Sequence, residues 1–355
     1  MSAFAIYRLP YDNKYTVVTQ TKGQPEELSS YRQLDGRNGF AFAPFAISDD
    51  CPLLLLRPDK TDTGHIADIQ PQAVTEPTFI HEETDRNSYS RDFAAFHDRL
   101  CEGRFRKLVL SRSLRINTDR QEQPLELFRR ACLLYPRTFV SLFSSQRSGT
   151  WLMATPEILL AGKDGEYATM ALAGTMKLTD DKLAFDTPGS GIGQQDIIWS
   201  KKNAEEQHYV EEYIEDILGN VAGHTEKNGP YTARAGNLVH LRTDFRFTMP
   251  EDSRLGDIIE RLHPTPAVCG LPKDEARTFI LDNESHDRRY YSGFSGPMGI
   301  GGATGLYVSL RCMNIDDSGY TLYAGGGLLR ESIEQNEWDE TEAKMGTMRQ
   351  VIEYK

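Results

Sequence analysis

Along the first 90 residues, short apolar runs are broken every few positions by Pro, Gly or charged residues, a pattern of short strands and turns. Further on the periods lengthen. They predict a helix over 92–101, a strand over 107–116 (KLVLSRSLRI) and a helix over 124–134, whose Pro124 suits a first turn. Further strands are predicted at 138–144, 151–154, 167–172, 238–247 and 305–312, and long helices at 204–218 and 333–352. Ser332 with Gln335 reads as a capping box for the last helix. Strands and helices do not alternate strictly, and no repeat or Pro/Ser-rich linker divides the chain. One large α+β domain is therefore expected.

A 3.6-residue wheel places carboxylates on the wrong faces of the two long helices. Glu206 shares a side with Val210, Tyr213 and Ile217, while Glu211, Glu212 and Glu215 point away. In the last helix Glu337, Glu340 and Lys344 share a face with Thr341, Met348 and Val351, leaving Asp339, Glu342, Gln350 and Glu353 for solvent. A carboxylate on an apolar face is costly unless it is paired, protonated or bound to a metal. The plain alternative is an i,i+4 or i,i+7 pairing of Glu340 or Glu337 with Lys344. Oxygen-only donors without a His or Cys cluster suit Mg²⁺.

Composition narrows the chemistry. The chain has 355 residues, 39% hydrophobic and 26% charged, and no apolar run near the roughly 20 residues that span a bilayer. The first residues show no signal or transit pattern, and five scattered cysteines without a CxxC pair argue against a disulfide framework or a thiolate zinc site. A cytoplasmic location is expected. The net charge of −12 disfavours nucleic acid, and an anionic substrate would need local cations or a metal. The glycine-rich 293–305 (GFSGPMGIGGATG) fails GxGxxG and has no GKS or GKT, so it reads as turns and tight sheet packing.

Lys107 opens an apolar strand on the face of Val109, and Glu157 follows Pro156 between two apolar runs. The bland readings are a lysine that snorkels to water and a glutamate that opens a helical turn. If both are buried, the lysine pKa falls and the glutamate pKa rises, which suits a neutral amine base and a protonated carboxylic acid.

In order, ten segments resemble the chorismate-utilising enzymes, which include isochorismate, salicylate, anthranilate and aminodeoxychorismate synthases. They are KLVLSR (107–112), TPEILL (155–160), ALAGT (171–175), KNAEEQ (202–207), HLRT (240–243), HPTPAVCG (263–270), DRRYYSG (287–293), LRC (310–312), AGGGLL (324–329) and EWDETEAK (337–344). The resemblance implies a single α+β domain of two packed, mainly antiparallel sheets with helices outside. In it, 1–90 is a variable N-terminal part and 91–355 the chorismate-binding core. It also implies Mg²⁺ on Glu206 and Glu340, with Glu337 close by or acting through water. Lys107 is implied as base and Glu157 as acid. Arg311 and Tyr291 are implied as carboxylate holders, Lys344 as a cation near the metal-bound end, and Gly174, Thr175, Gly325 and Gly327 as pocket lining. His240 is read as orienting the site, with a core histidine as the plain alternative.

Within the family, Lys107 and Ala173 point to water rather than ammonia as nucleophile, so no amidotransferase partner is expected. Ala267 favours stopping at isochorismate, since salicylate-forming relatives tend to carry Thr there; Tyr291 does not decide. Gln207 departs from the family's usual EH, which leaves Glu205 as the alternative to Glu206 if the helix phase is wrong. The expectation is an isochorismate synthase acting on chorismate in menaquinone or siderophore biosynthesis. The alternatives are a salicylate synthase that also eliminates pyruvate and a non-catalytic chorismate-binding relative.

Overall fold

The apolar run after residue 106 builds the long strand Lys107–Thr118, buried on both faces for its first half and alternating afterwards. In the computed structural model, which describes residues 3–70, 79–119, 122–179, 182, 184–186, 192–235, 238–251 and 253–353, this strand lies inside one of two large sheets. The N-terminal stretch supplies β1 (Ala3–Arg8), β2 (Lys14–Gln20), β3 (Glu26–Leu28), β4 (Gly39–Ala43), β5 (Leu53–Leu56) and β6 (Lys60–His65). Then come β7 (Phe79–Glu83), α1 (Arg86–Cys101), β8 (Lys107–Thr118), α2 (Pro124–Leu134), β9 (Phe139–Ser145), β10 (Gly149–Thr155), β11 (Ile158–Lys163) and β12 (Glu166–Lys177). The rest is α3 (Lys201–Val221), β13 (His224–Ala235), β14 (Leu238–Thr248), α4 (Leu255–Leu262), β15 (Gly270–Leu271), α5 (Lys273–Asn283), β16 (Phe294–Met298), β17 (Thr304–Val308), β18 (Cys312–Asp316), β19 (Gly319–Leu328) and α6 (Glu334–Ile352).

One sheet runs β15-β8-β19-β18-β10-β9-β1-β2-β6 with β7 also paired to β8, and the other runs β13-β14-β12-β11-β17-β16-β4-β5-β3. Their neighbours pair antiparallel. Between the sheets lies an aromatic layer in which Phe42 stacks on Phe143 and Tyr290, and Phe139 on Tyr307. Each such fully buried ring contributes roughly 1.5–3 kcal/mol by leaving water. The outer faces are covered by helices: α3 and α4 on the sheet of β12, and α2 and α6 on the sheet of β9 and β19. The fold is thus one α+β domain with helices outside, as expected. Residues 3–65 place strands in both sheets, β1 beside β9 and β4 beside β16.

Several local expectations change. The strand expected over 305–312 is two strands, β17 and β18, which belong to different sheets. Arg311, between them, has φ +46°. This left-handed backbone costs a side-chain-bearing residue of order 1–2 kcal/mol, and it turns the chain from one sheet to the other. The glycine-rich stretch is a hairpin, and a Cβ on Gly296 would fall 1.9 Å from the Gly305 carbonyl oxygen. No capping box opens α6: its N-cap is Ile333, and the Ser332 hydroxyl accepts from the Leu329 N–H instead. On α3, Glu211 is buried rather than outward, held by Thr243 Oγ1 at 2.6 Å and Lys227 at 3.0 Å. Tyr213 lies only half inward, its hydroxyl donating to the Arg261 carbonyl. The inward face is therefore wider than the wheel implied, because β14 crosses the helix flank beside β12.

Candidate active site

Glu157 sits in the bend between β10 and β11 and is 1% exposed. Pro156 before it and the Val308 N–H, which donates to its carbonyl at 3.0 Å, fix the turn. Its Oε1 accepts from Thr265 Oγ1 at 3.2 Å. Burial raises its pKa to about 7, against the opposing pull of Thr265, Lys107 and Lys344. A carboxyl so placed carries a proton near neutrality and can release it.

Lys107 enters from β8 and is 0% exposed. Its Nζ lies 2.9 Å from Glu206 Oε1, yet it has no aligned hydrogen-bond acceptor among the described residues. The lysine read as base thus neighbours the glutamate read as metal ligand. Two more pairs surround them, Lys344 with Glu340 at 2.7 Å and Lys202 with Glu337. The three pairs act as one electrostatic cluster. Burial resists the charge of Glu206, but Lys107 and Lys202 hold its carboxyl below the ordinary range. Burial raises the Glu337 pKa; Lys202 opposes that and Glu340 adds to it. Glu337 Oε2 is buried without a geometrically aligned hydrogen-bond partner among the described residues. Among the described residues no group of three or more His, Cys, Asp and Glu forms a ready-made metal cage.

The glycines of β19 make room for this cluster. A Cβ on Gly327 would lie 2.0 Å from Glu206 Oε1 and 2.9 Å from Lys107 Cε, and one on Gly326 3.3 Å from Glu337 Oε2. On Gly325 it would meet the Tyr291 hydroxyl at 2.8 Å. Lys344 bonds the Gly325 carbonyl at 2.8 Å, tying α6 to the same strand.

At the other end Arg311 Nη2 donates to His240 Nε2 at 2.8 Å, and His240 Nδ1 meets the Gly174 carbonyl at 3.0 Å. These partners assign the imidazole proton to Nδ1. Burial, then Arg311, push the His240 pKa well below its ordinary value. The ring is neutral and its acceptor nitrogen is engaged, so it orients Arg311. Burial lowers the Arg311 pKa to about 10, which leaves the guanidinium charged at neutral pH. Its partners His240 and Thr347 are neutral, and no carboxylate lies within ion-pair distance of it among the described residues. A buried cation paired only with neutral groups is a ready receptor for an anion. Gly174, at φ +61°, forms the bulge in β12 beside Thr175, and α3 approaches so closely that a Cβ there would lie 3.1 Å from Asn203.

These groups line one cleft, whose empty space counted out to its mouth is about 580 Å³. Of the residues proposed from sequence, Glu157, Glu206, Gly174, Thr175, His240, Tyr291, Arg311, Gly325, Gly327 and Lys344 form its wall. Lys107, Glu337 and Glu340 stand behind it, each joined to a neighbour by an ion pair. Glu205 turns aside to accept from the Tyr209 hydroxyl, so the helix phase favours Glu206. The sequence reading missed Lys202 and Thr265. Lys202 lies four residues before Glu206, hence on the same helix face, and that spacing was the available signal. Thr265 lies in a quoted motif, but only the folded chain brings it to Glu157.

The sequence pattern of a family described as chorismate binding enzyme matches residues 57–353. The chain is similar to the isochorismate synthase DhbC of Bacillus subtilis, 29% identical over 297 residues, covering 81% of this chain and 71% of the relative. It is 31% identical over 254 residues to the vibriobactin-specific isochorismate synthase of Vibrio cholerae, 68% of this chain and 60% of that relative's length. Among solved structures, MenF, the menaquinone-specific isochorismate synthase of Escherichia coli, superposes with a TM-score of 0.82 at 23% identity over 99% of this chain and 89% of the other, a likeness of fold.

Proposed function

The chain belongs to the family of chorismate-binding enzymes, and on that premise we propose that it converts chorismate into isochorismate. Water adds its oxygen to C2 of the ring and yields a proton to Lys107, which takes it as the neutral amine. The bond from C4 to its hydroxyl breaks as Glu157 gives that oxygen a proton, and the double bonds shift between the two carbons. Arg311, steadied by His240, and Tyr291 hold the pyruvyl carboxylate; Lys344 adds a cation at the opposite end. The observation that carries this reading is Glu157, a carboxyl buried in the cleft wall with a pKa near neutrality, in the electrostatic reach of Lys107, a buried lysine whose Nζ lies 2.9 Å from Glu206 Oε1.

The residues fit a magnesium ion. Glu206 and Glu340, with Glu337, whose Oε2 has no aligned partner among the described residues, offer oxygen donors alone, and Mg²⁺ needs only one or two carboxylates beside waters and substrate oxygens. Bound there, it would supply positive charge to the ring carboxylate. Lys107 and Ala173, the latter on the cleft wall, favour water over ammonia. Ala267, also on the wall, favours release before pyruvate is lost. The test is the chromatographic product profile from chorismate with and without Mg²⁺. Isochorismate without pyruvate is the expected result. Salicylate with pyruvate would replace this reading by the salicylate synthase, and binding without turnover by a non-catalytic relative.

A further inference from the structure

Behind the cleft wall lies a buried ion pair that the proposed chemistry does not use. Glu284, in the residue after α5, and Arg288 meet through two bonds, Nε to Oε2 at 2.6 Å and Nη2 to Oε1 at 2.7 Å. Both side chains are almost wholly withdrawn from solvent. Burial opposes the charge on Glu284, but Arg288 holds its carboxyl below the ordinary range. Such a pair is costly to desolvate and is a weak source of net stability. Its remaining bonds show what it does.

Arg288 Nη2 also donates to the Val109 carbonyl at 2.7 Å, and Nη1 to the Val268 carbonyl at 2.8 Å. The Arg288 carbonyl accepts from the Tyr291 N–H at 2.8 Å. Glu284 Oε1 accepts from the Ser111 N–H at 2.6 Å and its hydroxyl at 2.9 Å, and that hydroxyl meets His286 Nε2 at 2.9 Å. Val109, Val268 and Tyr291 all line the cleft. They come from three separate segments: the strand that carries Lys107, the loop whose Thr265 holds Glu157, and the turn that presents Tyr291.

We propose that Glu284 and Arg288 are positioning residues that lock these three segments in register, so that the distance from Lys107 to Glu157 depends on a pair that touches neither reactant. Proton transfers at two sites of one ring tolerate little error in placement, and a shift of about 1 Å remote from the chemistry can cost 10²-fold in rate. The inference rests on the isochorismate reading for its kinetic consequence and on the structure alone for the clamp.

Arg288→Lys keeps the charge but cannot span Glu284, Val109 and Val268 together. It is expected to lower kcat on the order of 10²-fold with a much smaller change in the KM for chorismate, while the folded fraction stays high. If the shift of the 265–270 loop also breaks the Thr265 bond to Glu157, the limb on which turnover falls with rising pH, set by Glu157, moves to higher pH. Amide hydrogen exchange should quicken together over 107–111, 265–270 and 288–293 and not over α2. If Arg288→Lys fails to fold, Glu284→Gln with Arg288→Met removes both charges without stranding either, and is read the same way. Unchanged kcat and pH limb, or a loss of rate that only follows the unfolded fraction, would overturn the proposal. If the unaltered protein makes no isochorismate, that reading fails, and the clamp is judged by exchange in the three segments, where no difference between variant and parent overturns it.

Discussion

Glu157 is a carboxyl whose surroundings have moved its titration from an ordinary value of 4.5 to about 7. As general acid it must hold a proton, so turnover should fall as pH rises through about 7. Stability carries the same sign. Below 4.5 the group is protonated whether the chain is folded or not; between 4.5 and 7 the native state binds more proton. Stability therefore falls across that window, by roughly 3 kcal/mol in all. Glu157→Gln should lose turnover by about 10²-fold or more, and its unfolding free energy should lack this slope when measured by denaturant titration from pH 4 to 8. Lys107→Ala should lose a similar factor while still binding chorismate in calorimetry, and near-normal turnover would remove it as base. The sequence marked both residues as apolar-flanked. It could not show that Lys107 faces Glu206, because β8 and α3 are joined only in the folded chain.

Strand β19 does for the site what no charged residue can: its glycines let three carboxylates and their lysines approach one backbone. Gly327→Ala should push Glu206 off Lys107 and, if Glu206 holds magnesium as proposed, raise the Mg²⁺ concentration needed for half-maximal binding by titration calorimetry while the protein remains folded. Gly346→Ala, in the middle of α6 with nothing within 4 Å of the added carbon, is the matched comparison. It should raise stability by about 1 kcal/mol through helix propensity and leave metal binding alone. The phase of the two long helices was legible because an apolar stripe repeats at 3.6 residues, and it brought out Glu206, Glu337 and Glu340. It misjudged Glu211, whose burial comes from a second strand covering the helix flank. The glycine strand itself left no periodic signal, since residues without side chains have no alternation to read.

Across the two sheets, the site is assembled from β8 and β19 on one side and from β12, β14 and the bend before β11 on the other, with α3 and α6 bringing the carboxylates. Because β1 and β4 pair within these same sheets, a fragment of residues 91–355 should expose the edges of β9 and β16 and part of the aromatic layer between the sheets. It is expected to aggregate or to lack a cooperative unfolding transition; a sharp two-state melt would show that the core folds without its N-terminal strands. Local pattern and motif order determined the α+β class, the family, and which helix faces carry carboxylates, since these depend on spacings of a few residues along the chain. The tertiary structure alone decided that Glu206 meets Lys107 and Glu337 meets Lys202, that His240 is neutral behind Arg311, that Thr265 bonds Glu157, and that the Glu284–Arg288 pair reaches the Val109 and Val268 carbonyls. Apart from the bond within the Glu284–Arg288 pair itself, those contacts join residues far apart in sequence, and burial sets their charges only once both sheets have closed around them.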